Sequence, residues 1–172
     1  MEAAVAAHPS YQTERGKPMP SKFHARLQKK LMLQLELNYS KHLEALPEIT
    51  VKMPKDVADG KRDRVPDIGI YPADLSFMED EIRMTEMPLA VVEILSPQQE
   101  LSELIARKNV YFRAGVRSYW LVLPELLSIY VYHAPNDFEI YTKNETLRDP
   151  NLGIELDLGP VFEGIFEHKN NG

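Results

Sequence analysis

The sequence predicts an α/β (α+β) fold, a mixed β-sheet flanked by helices, and three stretches carry that expectation. Pro20 to about His42 repeats apolar residues at helical spacing, Leu89 to Leu95 is an almost unbroken apolar run of strand length, and the segments after Gly115 are aromatic and β-branched with turns between them. A strand that is apolar throughout is buried on both faces, which requires cover above and below it. The aromatic segments then extend the sheet on one side as an antiparallel run.

In chain order, Ser21 is placed to cap a long amphipathic helix whose apolar face holds Phe23, Leu27, Leu31, Leu35 and Leu37. "EITVKM" (Glu48 to Met53) alternates as a strand does, "DVADGKRD" (Asp56 to Asp63) has turn chemistry, and "VPDIGIYP" (Val65 to Pro72) resumes a short strand. The simplest arrangement of these three is a hairpin. A loop or short helix through Met87 leads to the apolar strand, and a second helix runs from about Gln98 to Ala114, where Gly115 suits the left-handed position past a helix end. "SYWLVLP", "LLSIYVYHA" and "FEIYTK" supply the later strands.

The chain has 172 residues, enough for a single domain over 1–172 that buries roughly 70% of its unfolded surface, with frayed tails at 1–10 and 168–172. No apolar run reaches the eighteen or so residues of a membrane helix, and "MEAAVAAHPS" lacks the basic and apolar regions of a signal peptide. With no cysteine there is neither a disulfide framework nor a thiolate metal site, and a cytoplasmic location is expected. The net charge of −6 argues against a nucleic-acid partner only on average. Residues 1–124 hold 17 acidic and 17 basic side chains, whereas 125–172 hold 9 and 3, so the deficit is C-terminal. The runs "KFHARLQKK" and "KRDR" lie in the neutral part, either as solvated faces or as phosphate contacts.

One residue breaks the apolar strand: Glu93, in Pro-Leu-Ala-Val-Val-Glu-Ile-Leu. A carboxylate there is costly unless something pairs with it or coordinates it. Asp67, after Pro66 in "VPDIGIYP", is a second carboxylate beside residues that belong in a core. Two readings stay open on spacing alone. Asp67 and Glu93 on adjacent strands share a hard divalent cation, or Asp67 caps a turn while Glu93 pairs with a basic residue of the next helix.

"VPDIGIYP", "PLAVVEILSPQQ" and a basic helix running into "YFRAGVRSYWLVLP", preceded by "ERGKPMPSKFHARLQ", together resemble the large restriction-endonuclease-like family abundant in cyanobacteria, a branch of the PD-(D/E)XK nuclease superfamily. The resemblance spans roughly residues 11–135 and implies a restriction-endonuclease-like fold. It implies a Mg²⁺- or Mn²⁺-dependent endonuclease that hydrolyses phosphodiester bonds of DNA, with RNA also open as substrate and a homodimer suited to cutting both strands. Asp67 and Glu93 would hold the metal, aided by the main-chain carbonyl of Ile94. Glu14 stands where the family has an N-terminal acid that completes the metal site, and His24 is a candidate phosphate contact. The alternative is a nuclease fold that has lost turnover and binds nucleic acid or a protein partner.

The superfamily's usual cation, two residues after the Glu, is replaced here by Leu95. The family's alternative Lys, four residues before the helix Tyr, falls on Arg107, which binds phosphate well but cannot accept a proton. Lys108 follows it. A helical projection sets Lys108 at the centre of an apolar face formed by Leu101, Leu104, Ile105, Tyr111 and Phe112. The expected geometry is therefore Lys108 pointing its ammonium at Glu93 as the catalytic cation, with Arg107 at the rim facing phosphate. Tyr111, Tyr119 and Trp120 lie in apolar segments and read as core.

Overall fold

A computed structural model describes residues 20–166 apart from 58, 77 and 79. The first element among the described residues is helix α1 (Lys22–Tyr39), whose first turn is capped by the Ser21 side chain accepting from the His24 amide at 3.2 Å. Buried His24, Leu27, Leu31 and Leu35 form one stripe along it. Strands β1 (Leu43–Pro47), β2 (Val51–Lys52), β3 (Asp63–Arg64), β4 (Ile68–Pro72) and β5 (Ala90–Ile94) follow, then helix α2 (Leu101–Arg113). The rest comprises β6 (Ser118–Leu123), a 3₁₀ turn at Pro124–Leu126, β7 (Ser128–Ala134), β8 (Asp137–Thr142), β9 (Thr146–Asp149), β10 (Ile154–Asp157) and the short helix α3 (Gly159–Phe162).

Six strands make one mixed sheet in the order β1-β4-β5-β6-β7-β8. Only β5 and β6 run parallel, joined by the crossover through α2, and the other neighbours are antiparallel. The strand β5 is buried throughout, as an apolar run between two covering layers should be. Its residues alternate between two cores. Ala90, Val92 and Ile94 pack with α1, β9, β10 and α3 on one face, and Val91 packs with Leu104, Tyr111, Tyr119 and Val51 on the α2 face.

The hairpin expected from Glu48–Met53 and Val65–Pro72 does not form as such. Strand β4 pairs instead with β1, Leu43 against Pro72 and Pro47 against Ile68, while β2 and β3 pair over two residues each. The physical reason is Glu48, whose φ of 48° turns the chain sharply after Pro47 and separates "LEALP" from the rest. Helix α2 also differs from its projection. Leu101 and Ile105 are 40% and 38% exposed, and the inward stripe is Leu104, Arg107, Lys108, Tyr111. Lys108 faces inward as projected, whereas Arg107, expected at the rim, is buried as well. Gly115, at φ 98°, ends the helix as expected.

Candidate active site

The β4–β5 register pairs Ile68 with Val92, so extending it by one residue sets Asp67 opposite Glu93. Glu93 shares its face with Val91, the α2 side, while Asp67, one residue before β4, is reached by His24 of α1 and by the Ile94 amide, so both carboxylates stand at the carboxyl end of β5. Asp67 is 1% and Glu93 0% exposed. Burial at that level demands compensation.

Asp67 is held from three elements. Its Oδ2 accepts from the Ile94 amide at 2.7 Å, which ties it to β5 one residue beyond Glu93. His24 Nε2 lies 3.1 Å from the same oxygen. The main-chain carbonyl of Asp67 accepts from Gln28 Nε2 at 2.7 Å and from the Glu48 amide at 3.1 Å. The buried stripe of α1 thus begins with a polar residue, His24, three positions before Leu27, that reaches the site while the leucines fill the core. Glu93 faces Arg107, whose Nη1 is 3.5 Å from Oε1. Burial works against the Arg107 charge, and the Glu93 carboxylate together with the Tyr111 and Tyr119 side chains outweighs it, leaving the guanidinium above its ordinary pKa.

Lys108 departs from its expected place. Its ammonium donates to the Pro135 carbonyl and stands over the Tyr132 ring, 4.3 Å from the centroid. It is 5% exposed, and burial lowers its pKa. Consecutive helical residues diverge by about 100°, so one cation reaches Glu93 and the other the far end of the sheet. Arg107, the position singled out by the family resemblance, is the one on the carboxylate. Glu14 lies outside the described residues.

Tyr111 and Tyr119 complete the wall behind Glu93, both fully buried, with the Tyr119 hydroxyl donating to the Leu104 carbonyl at 2.9 Å. Burial first, and the Glu93 carboxylate second, hold both phenols well above their ordinary pKa. They are core residues, with Trp120, as the sequence led us to expect.

A second buried carboxylate centre went unread in the sequence. Asp149, 0% exposed, accepts from Ser118 Oγ at 2.9 Å, from Trp120 Nε1 at 2.8 Å and from the Asn151 amide at 3.1 Å. The available signal was the alternation of Ser118 and Trp120, two donors on one face of an otherwise apolar strand.

The donor chemistry near β5 is two hard carboxylates without sulfur, and among the described residues no group of three or more His, Cys, Asp or Glu converges on one point. Zn²⁺ wants a fuller set of nitrogen and sulfur ligands, whereas Mg²⁺ is commonly held by one or two carboxylates with waters and substrate phosphate. The residues present fit the second.

No helix of the described residues is long and apolar enough to cross a membrane. Among solved structures, the chain is similar to one titled a "putative nuclease belonging to DUF820" from Anabaena variabilis, with 19% identity, a TM-score of 0.72, and 86% of this chain and 84% of that one covered. That likeness establishes the restriction-endonuclease-like mixed sheet flanked by helices. No curated protein matches. The model of the Uma2 family, described as "Putative restriction endonuclease", matches residues 12–165, nearly the whole chain, and the chain belongs to that family.

Proposed function

We propose that the protein is a Mg²⁺- or Mn²⁺-dependent endonuclease acting on DNA. The observation that carries the reading is a pair of buried carboxylates at the carboxyl end of β5, Glu93 on that strand and Asp67 accepting from the amide of the next residue, Ile94. Asp67 and Glu93 would hold the cation. When bound, it would polarise the phosphodiester and acidify a water. The Ile94 amide and His24 fix the orientation of the Asp67 carboxylate, so that little reorganisation is needed as charge develops. Arg107 neutralises Glu93 in the free protein and is suited to a phosphate oxygen, which its planar fork matches as well as it matches a carboxylate. Since a guanidinium does not take up a proton, the attacking water must lose its proton elsewhere.

That last point favours a second reading, a nuclease fold retained for nucleic-acid binding without turnover. Incubating duplex DNA with the protein and Mg²⁺ or Mn²⁺ decides between them. Cleavage by wild type that disappears in a folded Glu93→Gln supports the endonuclease. Binding without cleavage under every metal tested supports the inactive module, and single-stranded RNA cut in preference to DNA would move the substrate class. A homodimer is the assembly that places one such site on each strand of a duplex.

A further inference from the structure

Beside Asp67 and Glu93, the buried polar atoms without a hydrogen-bond partner among the described residues include His24 Nδ1 and, toward α2, the hydroxyl of Tyr111 and Nε of Arg64. Tyr111 is 0% and Arg64 7% exposed. Buried donors in this state are rare in folded proteins, and each asks what it is meant to meet. Both belong to the α2 side. Arg64 pairs across the short β2–β3 ladder with Val51, which packs in the same cluster as Tyr111, and Arg64 precedes Asp67 by three residues. The charges of Arg107 and Arg64 both act on the Tyr111 hydroxyl.

The rest of the Arg64 head group is occupied in an unusual way. Its Nη2 is ion-paired with Asp59, whose side chain is 47% exposed while that of Arg64 is 6% exposed. Asp59 stands in the turn before Gly60, where φ is 85°. A buried cation neutralised by a half-exposed loop carboxylate has a partner that a competing anion can replace at modest cost. Phosphate is such an anion, because the guanidinium fork binds its oxygens and those of a carboxylate alike. Arg64 and Arg107 are also the members of this cluster that retain some exposure, 7% and 9%, so an anion approaching the carboxylates meets cations first.

We propose that Arg64 and the Tyr111 hydroxyl form a phosphate-oxygen site next to Asp67 and Glu93, and that Asp59 occupies Arg64 until a substrate phosphate displaces it. This deepens the endonuclease reading and rests on it for the identity of the phosphate as part of a phosphodiester. It makes Asp59 an internal competitor, and its removal tightens binding.

The test is thermal melting of the full chain against increasing inorganic phosphate, in wild type, Asp59→Asn, Tyr111→Phe and Asp56→Asn. Asp56 is an exposed acid of the same loop and controls for net charge. Wild type should be stabilised by phosphate. Asp59→Asn should bind about tenfold more tightly, the size of one charge-assisted contact, and Tyr111→Phe more weakly, while Asp56→Asn stays within about twofold of wild type, as a screened surface charge should. The inference falls if phosphate does not stabilise wild type, if Asp59→Asn gains no more than Asp56→Asn, or if Tyr111→Phe binds like wild type. Phosphate binding in this pattern by a protein that cleaves no DNA would defeat the endonuclease reading and leave the site standing. DNA cleavage with an unchanged KM in Asp59→Asn and Tyr111→Phe would do the reverse.

Discussion

Asp149 on one face of the sheet and Glu93 on the other are equally buried, yet their partners differ in kind. Asp149 accepts from three neutral donors, a serine hydroxyl, an indole and a backbone amide, with the His133 imidazole further off at 4.0 Å. Glu93 meets a guanidinium at 3.5 Å, and its neighbour Asp67 meets an imidazole at 3.1 Å. Strand β6 serves both centres, sending Trp120 to Asp149 and setting Leu121 beside Glu93. Neutral donors fixed by the fold solvate a charge without being exchangeable, and they suit a carboxylate whose role is to hold β6 against β9. A charge balanced by a side-chain cation can trade that cation for another. The lesson is that burial alone does not mark a functional carboxylate, whereas the chemistry of its partners does.

The sharpest way to break this comparison is to delete each acid. Asp67→Ala should lower DNA cleavage per folded molecule by roughly a thousandfold or more, since a carboxylate proposed to hold the metal is gone, and should also cost stability because the Ile94 amide and His24 lose their acceptor. Circular dichroism would check the fold and a gel assay the cleavage. Asp149→Ala should instead act on stability. It strands the Ser118 hydroxyl, the Trp120 indole and the Asn151 amide. At about 1–3 kcal/mol for each buried group left unsatisfied, a total of about 3 kcal/mol is reasonable, which for a chain of this size is a fall in Tm of about 6–12 °C. Activity per folded molecule should survive. A folded Asp149→Ala that has lost all cleavage would show that the two centres are one.

Alkali should distinguish the faces next. Burial raises the pKa of Tyr111 and Tyr119 well above the ordinary phenol value of 10.0, and Glu93 raises it further. Because the folded state favours the neutral phenol, its contribution to stability is complete below the unfolded pKa and is lost as pH climbs from there toward the folded values. Above pH 10, each such tyrosine therefore tilts the stability curve downward by up to about 1.4 kcal/mol per pH unit. Denaturant melts at rising pH should show this slope, with the phenolate absorbance of these residues appearing only on unfolding. Tyr111→Phe should remove one tyrosine's share. An unchanged slope would mean that Tyr111 ionises in the folded protein, and the α2 face would then be far wetter than its burial indicates.

Much of this was legible in the residues. A single Glu in a two-sided apolar strand and an Asp at the head of the preceding core strand pointed to each other, and the Ile94 amide ties Asp67 to β5 one residue beyond Glu93. The central strands, the crossover helix and its glycine stop follow from periodicity. Strand β1 was hidden because "LEALP" continues directly from a helical pattern, and only the positive φ at Glu48 shows where the chain turns. Asp149 was hidden because its donors come from distant segments. Arg64 read as part of a basic run that was either a solvated face or a phosphate contact, and its burial was hidden because nothing local to "KRDR" says that the short β2–β3 ladder packs against α2.

The smallest predicted effect concerns Lys108, where an apolar projection of the helix and the folded structure disagree. If the projection held, Lys108→Met would abolish cleavage. In the structure its ammonium is spent on the Pro135 carbonyl and the Tyr132 ring, away from Glu93. Removing it forfeits a cation–π contact of about 0.5–2 kcal/mol. It also removes a cation whose burial lowers its pKa, that is, one the folded state holds at a cost at neutral pH. Methionine fills nearly the same volume along the same stem. These contributions oppose each other, so Tm should move by no more than about 3 °C and cleavage by no more than about threefold, against a loss of roughly a hundredfold for Arg107→Ala, which strips Glu93 of its guanidinium. Parallel kinetics on the two variants measure the difference directly. A Lys108→Met protein that folds and melts normally but no longer cleaves would place the working cation one residue further along the helix, and Arg107 would then be only the counterion that keeps Glu93 buried.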